Sequence, residues 1–210
     1  SMAKEAQAAG MDARHWTRAD VLRHPVFWLL VPALLGPPAW GTALWFQQVH
    51  LAEVKGWSHV SFVALFPVST AVTVAATFAC GWAIDRFGSG RIMPFYMLPF
   101  AVGFLLLGTA NTILAAAIAL AVFGVGQGMQ STLASAFWAE FFGTRHLGSI
   151  KAVAGAVMVF GSAIGPGITG ALIDLGIDFP EQMLPIAMFY VAAAGMATYG
   201  IARYRPTLGR

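Results

Sequence analysis

The chain has 210 residues, of which 58% are hydrophobic and only 10% charged, whereas a soluble domain carries about 25% charged residues. Together with a mean hydropathy of +0.71, this excludes a water-soluble globular fold. The net charge of +3 needs no nucleic-acid partner, because the basic residues are segregated from the apolar ones. Uncharged runs cover residues 25–49, 58–84, 92–113, 112–139, 152–173 and 182–202. Each reaches or exceeds the roughly 20 apolar residues that cross a bilayer as a helix, and only helices or closed barrels satisfy the backbone there. The strand-length alternation of a barrel is absent. The sequence therefore predicts an all-α membrane protein with six transmembrane helices and a short turn between the third and fourth.

Taken in chain order, residues 1–22 carry spaced charges and no apolar signal core, and Ser1-Met2 resembles a scar of tag removal. The domains read as a tag scar and cytoplasmic linker (1–22), a six-helix bundle (23–205) and a tail (206–210). In span one, Gly36-Pro37-Pro38 should break the hydrogen-bond ladder. Beyond it come Trp40, Thr42, Trp45, Gln47, Gln48 and His50. Water or solute in a cavity could satisfy the freed backbone; a simple kink with interfacial aromatics is the alternative. Span two holds the i, i+4, i+8 row Ser69, Thr73 and Thr77, whose hydroxyls can bond their own helix backbone. Its Cys80 is the chain's single cysteine, so no internal disulfide can form and the thiol reads as packing.

The stretch GWAIDRFGSGR at 81–91 joins spans two and three. Gly81 allows close helix contact, Asp85 can accept from a helix N-terminus, Arg86 can pair with a carboxylate, and Gly88 and Gly90 permit a tight reversal. In span four, Gln127, Ser131, Ser135 and Trp138 recur at i, i+4, i+8 and i+11, with Gln130 beside them. Such a polar stripe faces either a cavity or a neighbouring helix. Span five offers Gly155, Gly161, Gly165 and Gly170 for close packing, and Pro166 for a kink.

Six spans put both termini on one side. Lys4, Arg14, Arg18, Arg23, Arg86, Arg91, Arg145, Lys151, Arg203, Arg205 and Arg210 fall there, and Lys55 alone falls opposite. This bias predicts cytoplasmic termini. No Asp, Glu, Lys or Arg lies deep within a span; Lys151 stands at the mouth of helix five, and His50 is the one candidate proton-sensitive histidine. No metal-ligand or nucleotide motif occurs, and Ser162 has no histidine at comparable depth to form an intramembrane hydrolase. No cofactor, metal or enzymatic activity is expected.

GxxxDRxGxxR, matched by Gly81, Asp85, Arg86, Gly88 and Arg91, resembles the signature loop of the major facilitator superfamily. Ser89 and Gly90 stand where the family usually carries basic residues. FWAEFFGTRHLGSIK resembles that family's loop between helices four and five, with Glu140 placed to pair with Arg86 or Arg91. GSAIGPGITG, with Gly161, Gly165 and Pro166, resembles a motif of its antiporter branches. LRHPVFWLL and FQQVHLAEVKGWS resemble the start of a C-terminal half, nearest the monocarboxylate and oxalate–formate carriers.

The resemblance implies two inverted three-helix repeats, with helices one and four lining a cavity and helices two and five bordering an opposite half. It further implies half of a secondary transporter in a bacterial inner membrane, moving a small organic solute by alternating access, organic anions among the candidates. Trp45, Gln48, Gln127, Ser131 and Ser135 would contact the solute, and residues 81–91 with Glu140 would form a cytoplasmic latch. The implied partners are lipid, the solute, and either an N-terminal six-helix half or a second copy. The alternative is a self-dimerising module without transport activity of its own.

Overall fold

A computed structural model describes residues 8–207; Ser1, Met2, Lys4 and Arg210 lie outside the described residues. The helices are α1 Arg18–Arg23, α2 Pro25–Phe46, α3 Gln48–Lys55, α4 His59–Val63, α5 Phe66–Phe87, α6 Ser89–Ile92, α7 Met97–Thr109, α8 Ile113–Phe142, α9 Leu147–Asp174 and α10 Phe179–Tyr204. Among the described residues, six apolar spans emerge: α2, α4–α5, α6–α7, α8, α9 and α10. They run longer than most of the uncharged runs, because a charge ends an apolar run without ending a helix. Asp85, Arg86, Glu140, Asp174, Glu181 and Arg203 all sit within terminal turns, and Lys151 begins the second turn of α9; charged groups so placed reach the interface.

The spans pack as an open crescent in the order α5, α8, α7, α10, α2, α9. Exchanging span one with four, two with five and three with six maps this order onto its reverse, as two inverted three-helix repeats require. α5 and α9 terminate the crescent, and only 6% and 17% of these spans is buried, against 39–56% for the other four.

Small residues set the closest approaches. A Cβ at Gly124 would lie 2.6 Å from the Ser69 carbonyl oxygen, and one at Gly128 would strike that of Thr73. On the other arm, a Cβ at Gly161 would lie 2.9 Å from the Leu35 carbonyl oxygen, and one at Gly165 would strike Ala39. The glycine pairs on α8 and α9 thus bring two helix backbones together, which is how membrane helices gain dispersion contact without a hydrophobic driving force. Along the first seam Ser69 donates to Leu120 O (2.9 Å), Thr73 to Gly124 O (3.1 Å) and Thr77 to Gly128 O (3.4 Å). Thr73 and Thr77 also bond back to Ser69 O and Thr73 O. The row joins α5 to α8.

The expected break in span one does not occur: α2 is continuous through Pro32, Pro37 and Pro38. Pro37 removes the donor that Ala33 O would receive, and the buried Tyr96 hydroxyl replaces it at 2.7 Å. Tyr190 donates to Gly36 O at 3.0 Å and stacks on Phe100 and Phe104. At Ala33 a protein hydroxyl therefore supplies what cavity water or solute was expected to supply. α9 likewise continues through Pro166.

Residues before α2 fold onto the bundle. Met11 N donates to Phe141 O (2.8 Å), Trp16 N to Phe142 O (3.1 Å) and Thr144 N to Ala8 O (3.0 Å). The strap satisfies carbonyls left over at the α8 C-terminus, with Met11 and Trp16 buried. Thr17 and Asp20 then form a capping box on α1, and its hydrogen bonds hold the Asp20 carboxyl below the usual carboxylate range. At the opposite end Lys55 donates to Gly108 O (2.5 Å) and Ala110 O (2.8 Å), and partial burial pushes its pKa down.

Tyr96→Phe should cost about 1–3 kcal/mol, the penalty of a buried acceptor left unmade, in equilibrium unfolding in mixed micelles. Tyr199→Phe, which removes an exposed hydroxyl, should stay within about 0.5 kcal/mol of the parent.

Candidate functional site

The 81–91 hairpin turns on Gly88, whose φ of +81° favours glycine. Gly90 serves packing: a Cβ there would lie 2.9 Å from the Phe141 ring. Ser89, fully buried, donates its backbone N–H to Glu140 Oε2 at 3.0 Å, and its hydroxyl donates to the same oxygen. Glu140 therefore places a carboxylate on the N-terminus of span three, where the helix dipole favours negative charge.

Four residues take other roles than expected. Glu140 forms no ion pair with Arg86 or Arg91 among the described residues; its oxygen is taken by Ser89. Asp85 is exposed and caps no helix among the described residues; it lies in the last turn of α5, whereas Glu140 reaches the N-terminus of α6 across the bundle. Arg86 lies over the rings of Trp82 and Phe87, at 5.6 and 5.7 Å from their centroids. Gly81 faces open space, with nothing within 4 Å of a Cβ, so its expected close contact is absent within this bundle.

Along the span-four stripe the side chains differ in burial. Gln127 is half-buried, and Ser131 and Ser135 are exposed. Ser131 donates to Gly128 O (2.9 Å) and lies 3.4 Å from the Thr77 hydroxyl. Trp138 shares that face, about 20° from Gln127 at 100° per residue, but is buried, its ring against Phe27 of α2 and against Phe137 and Phe142. Trp45 packs edge-on against Phe66 at 4.6 Å, and Gln48 Oε1 lies 3.4 Å from His59 Nε2. Both stand at the far end of the bundle. Gln127 is fourteen residues into α8, roughly 21 Å along its axis at 1.5 Å per residue. The five expected solute contacts thus form two groups.

Lys151 is the residue that spacing missed. Its ammonium donates to Ser135 Oγ at 2.9 Å, bringing an exposed cation from α9 onto the α8 stripe. The signal was present, since Lys151 begins the second turn of span five, but only the α8–α9 crossing joins it to Ser135. His50, by contrast, pairs with Asp178 at 3.2 Å in the loops opposite the termini. Gly161 and Gly165 pack on α2, and Pro166 follows in a turn where Thr169 donates to Gly165 O at 3.1 Å.

The family model described as Major Facilitator Superfamily matches residues 68–208. Two proteins titled "Multidrug resistance protein B homolog", from Mycobacterium tuberculosis strains CDC 1551 / Oshkosh and ATCC 25618 / H37Rv, are each 40% identical over 93 residues. That segment is 44% of this chain and 17% of each relative.

Glu140→Ala should raise amide exchange at Ser89 by about tenfold, as expected for loss of one charge-assisted hydrogen bond. Glu140→Gln keeps an acceptor oxygen and should protect the amide nearly as well as the parent. Exchange unchanged in the alanine variant would remove Glu140 as the clasp of this hairpin.

Proposed function

The chain belongs to the major facilitator superfamily, and from that premise we propose that it forms one six-helix half of a secondary transporter. The half is C-terminal in type, its termini are cytoplasmic in a bacterial inner membrane, and residues 1–22 and 206–210 are its linker and tail. It rocks as a unit against a complementary half, and the 81–91 loop clasped by Glu140 acts as the cytoplasmic latch. Support for the orientation comes from nine of the ten Lys and Arg among the described residues lying at the end that carries the termini. Support for the half comes from α5 and α9, which end the crescent with Val74, Phe78, Trp82, Val159 and Phe160 exposed. Either an N-terminal half or a second copy covers these faces.

The observation that carries the solute reading is Lys151 on Ser135. A cation on Ser135, at one end of the stripe that also holds Ser131 and Gln127, suits a small organic solute with an anionic end, as in the monocarboxylate type, with Trp45 and Gln48 offering aromatic and amide contact nearer the opposite face. The relatives' title points instead to drug-like solutes, for which the exposed aromatic residues are the relevant contacts. The two readings differ in their dependence on Lys151.

Uptake is measured in vesicles containing the chain, alone and joined to a complementary six-helix half, with labelled monocarboxylates and a cationic dye under an imposed proton gradient. Lys151→Gln should lower monocarboxylate uptake by about tenfold or more, the scale of one charged hydrogen bond, and leave dye uptake unchanged. Gln127→Ala should slow every solute transported. Uptake indifferent to both variants would remove the α8 stripe from the pathway.

A further inference from the structure

At the end of the bundle that carries the termini, spans three and six enclose a groove of about 410 Å³. Phe95 and Leu98, 59% and 41% exposed, form its wall on the span-three side. On α10 it is lined by Ala194, Gly195, Thr198 and Ala202, small residues along one helix face. Nothing lies within 4 Å of a Cβ built at Gly195, so this glycine permits no helix contact and leaves the trough open. The Thr198 hydroxyl turns back to Ala194 O at 2.7 Å, so the polar group on this wall is already satisfied.

Arg91 and Arg205 also line the groove. Neither guanidinium group forms an ion pair or hydrogen bond with any described residue. The acidic side chains of the described residues at this end are otherwise placed: Glu140 holds Ser89, Asp20 caps α1, and Asp12 and Asp85 form no ion pair among the described residues. Two guanidinium groups with no counter-charge among the described residues thus stand where an apolar trough meets the edge of the hydrocarbon, a position at which cations attract anionic headgroups. Each guanidinium is a planar fork matched to phosphate oxygens. The groove lies on α7 and α10, in the middle of the crescent, away from the open-ended α5 and α9.

We infer that this groove holds an anionic phospholipid, its phosphate on Arg91 and Arg205 and one acyl chain along Phe95, Leu98 and Gly195. Free phosphate would leave the apolar trough empty. A zwitterionic lipid would fill the trough without supplying a net counter-charge.

The purified chain is embedded in nanodiscs containing equal phosphatidylglycerol and phosphatidylcholine, released, and weighed by native mass spectrometry with its retained lipids. Phosphatidylglycerol should be retained by about tenfold or more over phosphatidylcholine, given about 1 kcal/mol for each basic residue at an anionic surface. The double variant Arg91→Gln/Arg205→Gln should lose that preference while its circular dichroism melt matches the parent. Gly195→Leu, which fills the trough, should lower retention of both lipids. Equal retention of the two lipids by the parent, a preference that survives the double variant, retention unaffected by Gly195→Leu, or displacement of the lipid by inorganic phosphate would each overturn the assignment.

Discussion

A backbone carbonyl within hydrocarbon has no water to turn to, and the bundle is organised around supplying donors to those that helix geometry leaves exposed. Ala33 loses its partner to Pro37 and receives the Tyr96 hydroxyl. Phe141 and Phe142, at the end of α8, receive the strap amides of Met11 and Trp16. Gly108 and Ala110, at the end of span three, receive the Lys55 ammonium. Each donor comes from a distant part of the chain, so satisfying one helix locks it to another. Prolines that would weaken a helix in isolation here fix which tyrosine must stand beside it.

The same economy operates at the seams. The Gly124–Gly128 and Gly161–Gly165 pairs let two backbones approach until carbonyls of α5 and α2 lie against the glycine Cα atoms. On the α5 side, the close approach places the Ser69, Thr73 and Thr77 hydroxyls within reach of α8 carbonyls, adding polar contacts in a setting where apolar burial gives little. The crescent that results leaves its end helices α5 and α9 largely uncovered.

Charge is arranged at the rims. Glu140 meets the span-three N-terminus and the strap meets the α8 C-terminus. One short region at the cytoplasmic end in our topology therefore joins the 81–91 hairpin, span four and the segment preceding span one. A rearrangement of the hairpin must loosen Ser89 from Glu140, which sits one residue before the strap-bound Phe141. Lys151 touches the same span one turn and a half away, through Ser135.

Segregated charge and run length determined the fold class and the number of the spans, because the cost of a charge in hydrocarbon is imposed one residue at a time. The same per-residue physics made the positive-φ role of Gly88 legible, and helical spacing put Gln127, Ser131 and Ser135 on one face. Partner choice was not legible. Glu140 could reach an arginine or a helix N-terminus, Gly81 could pack or face outward, and Trp138 could join the stripe or the core. Only the tertiary structure decided these, since each depends on which helix crosses which and at what height. Spacing along one helix defines a face, and the neighbour on that face is defined by packing between segments far apart in sequence.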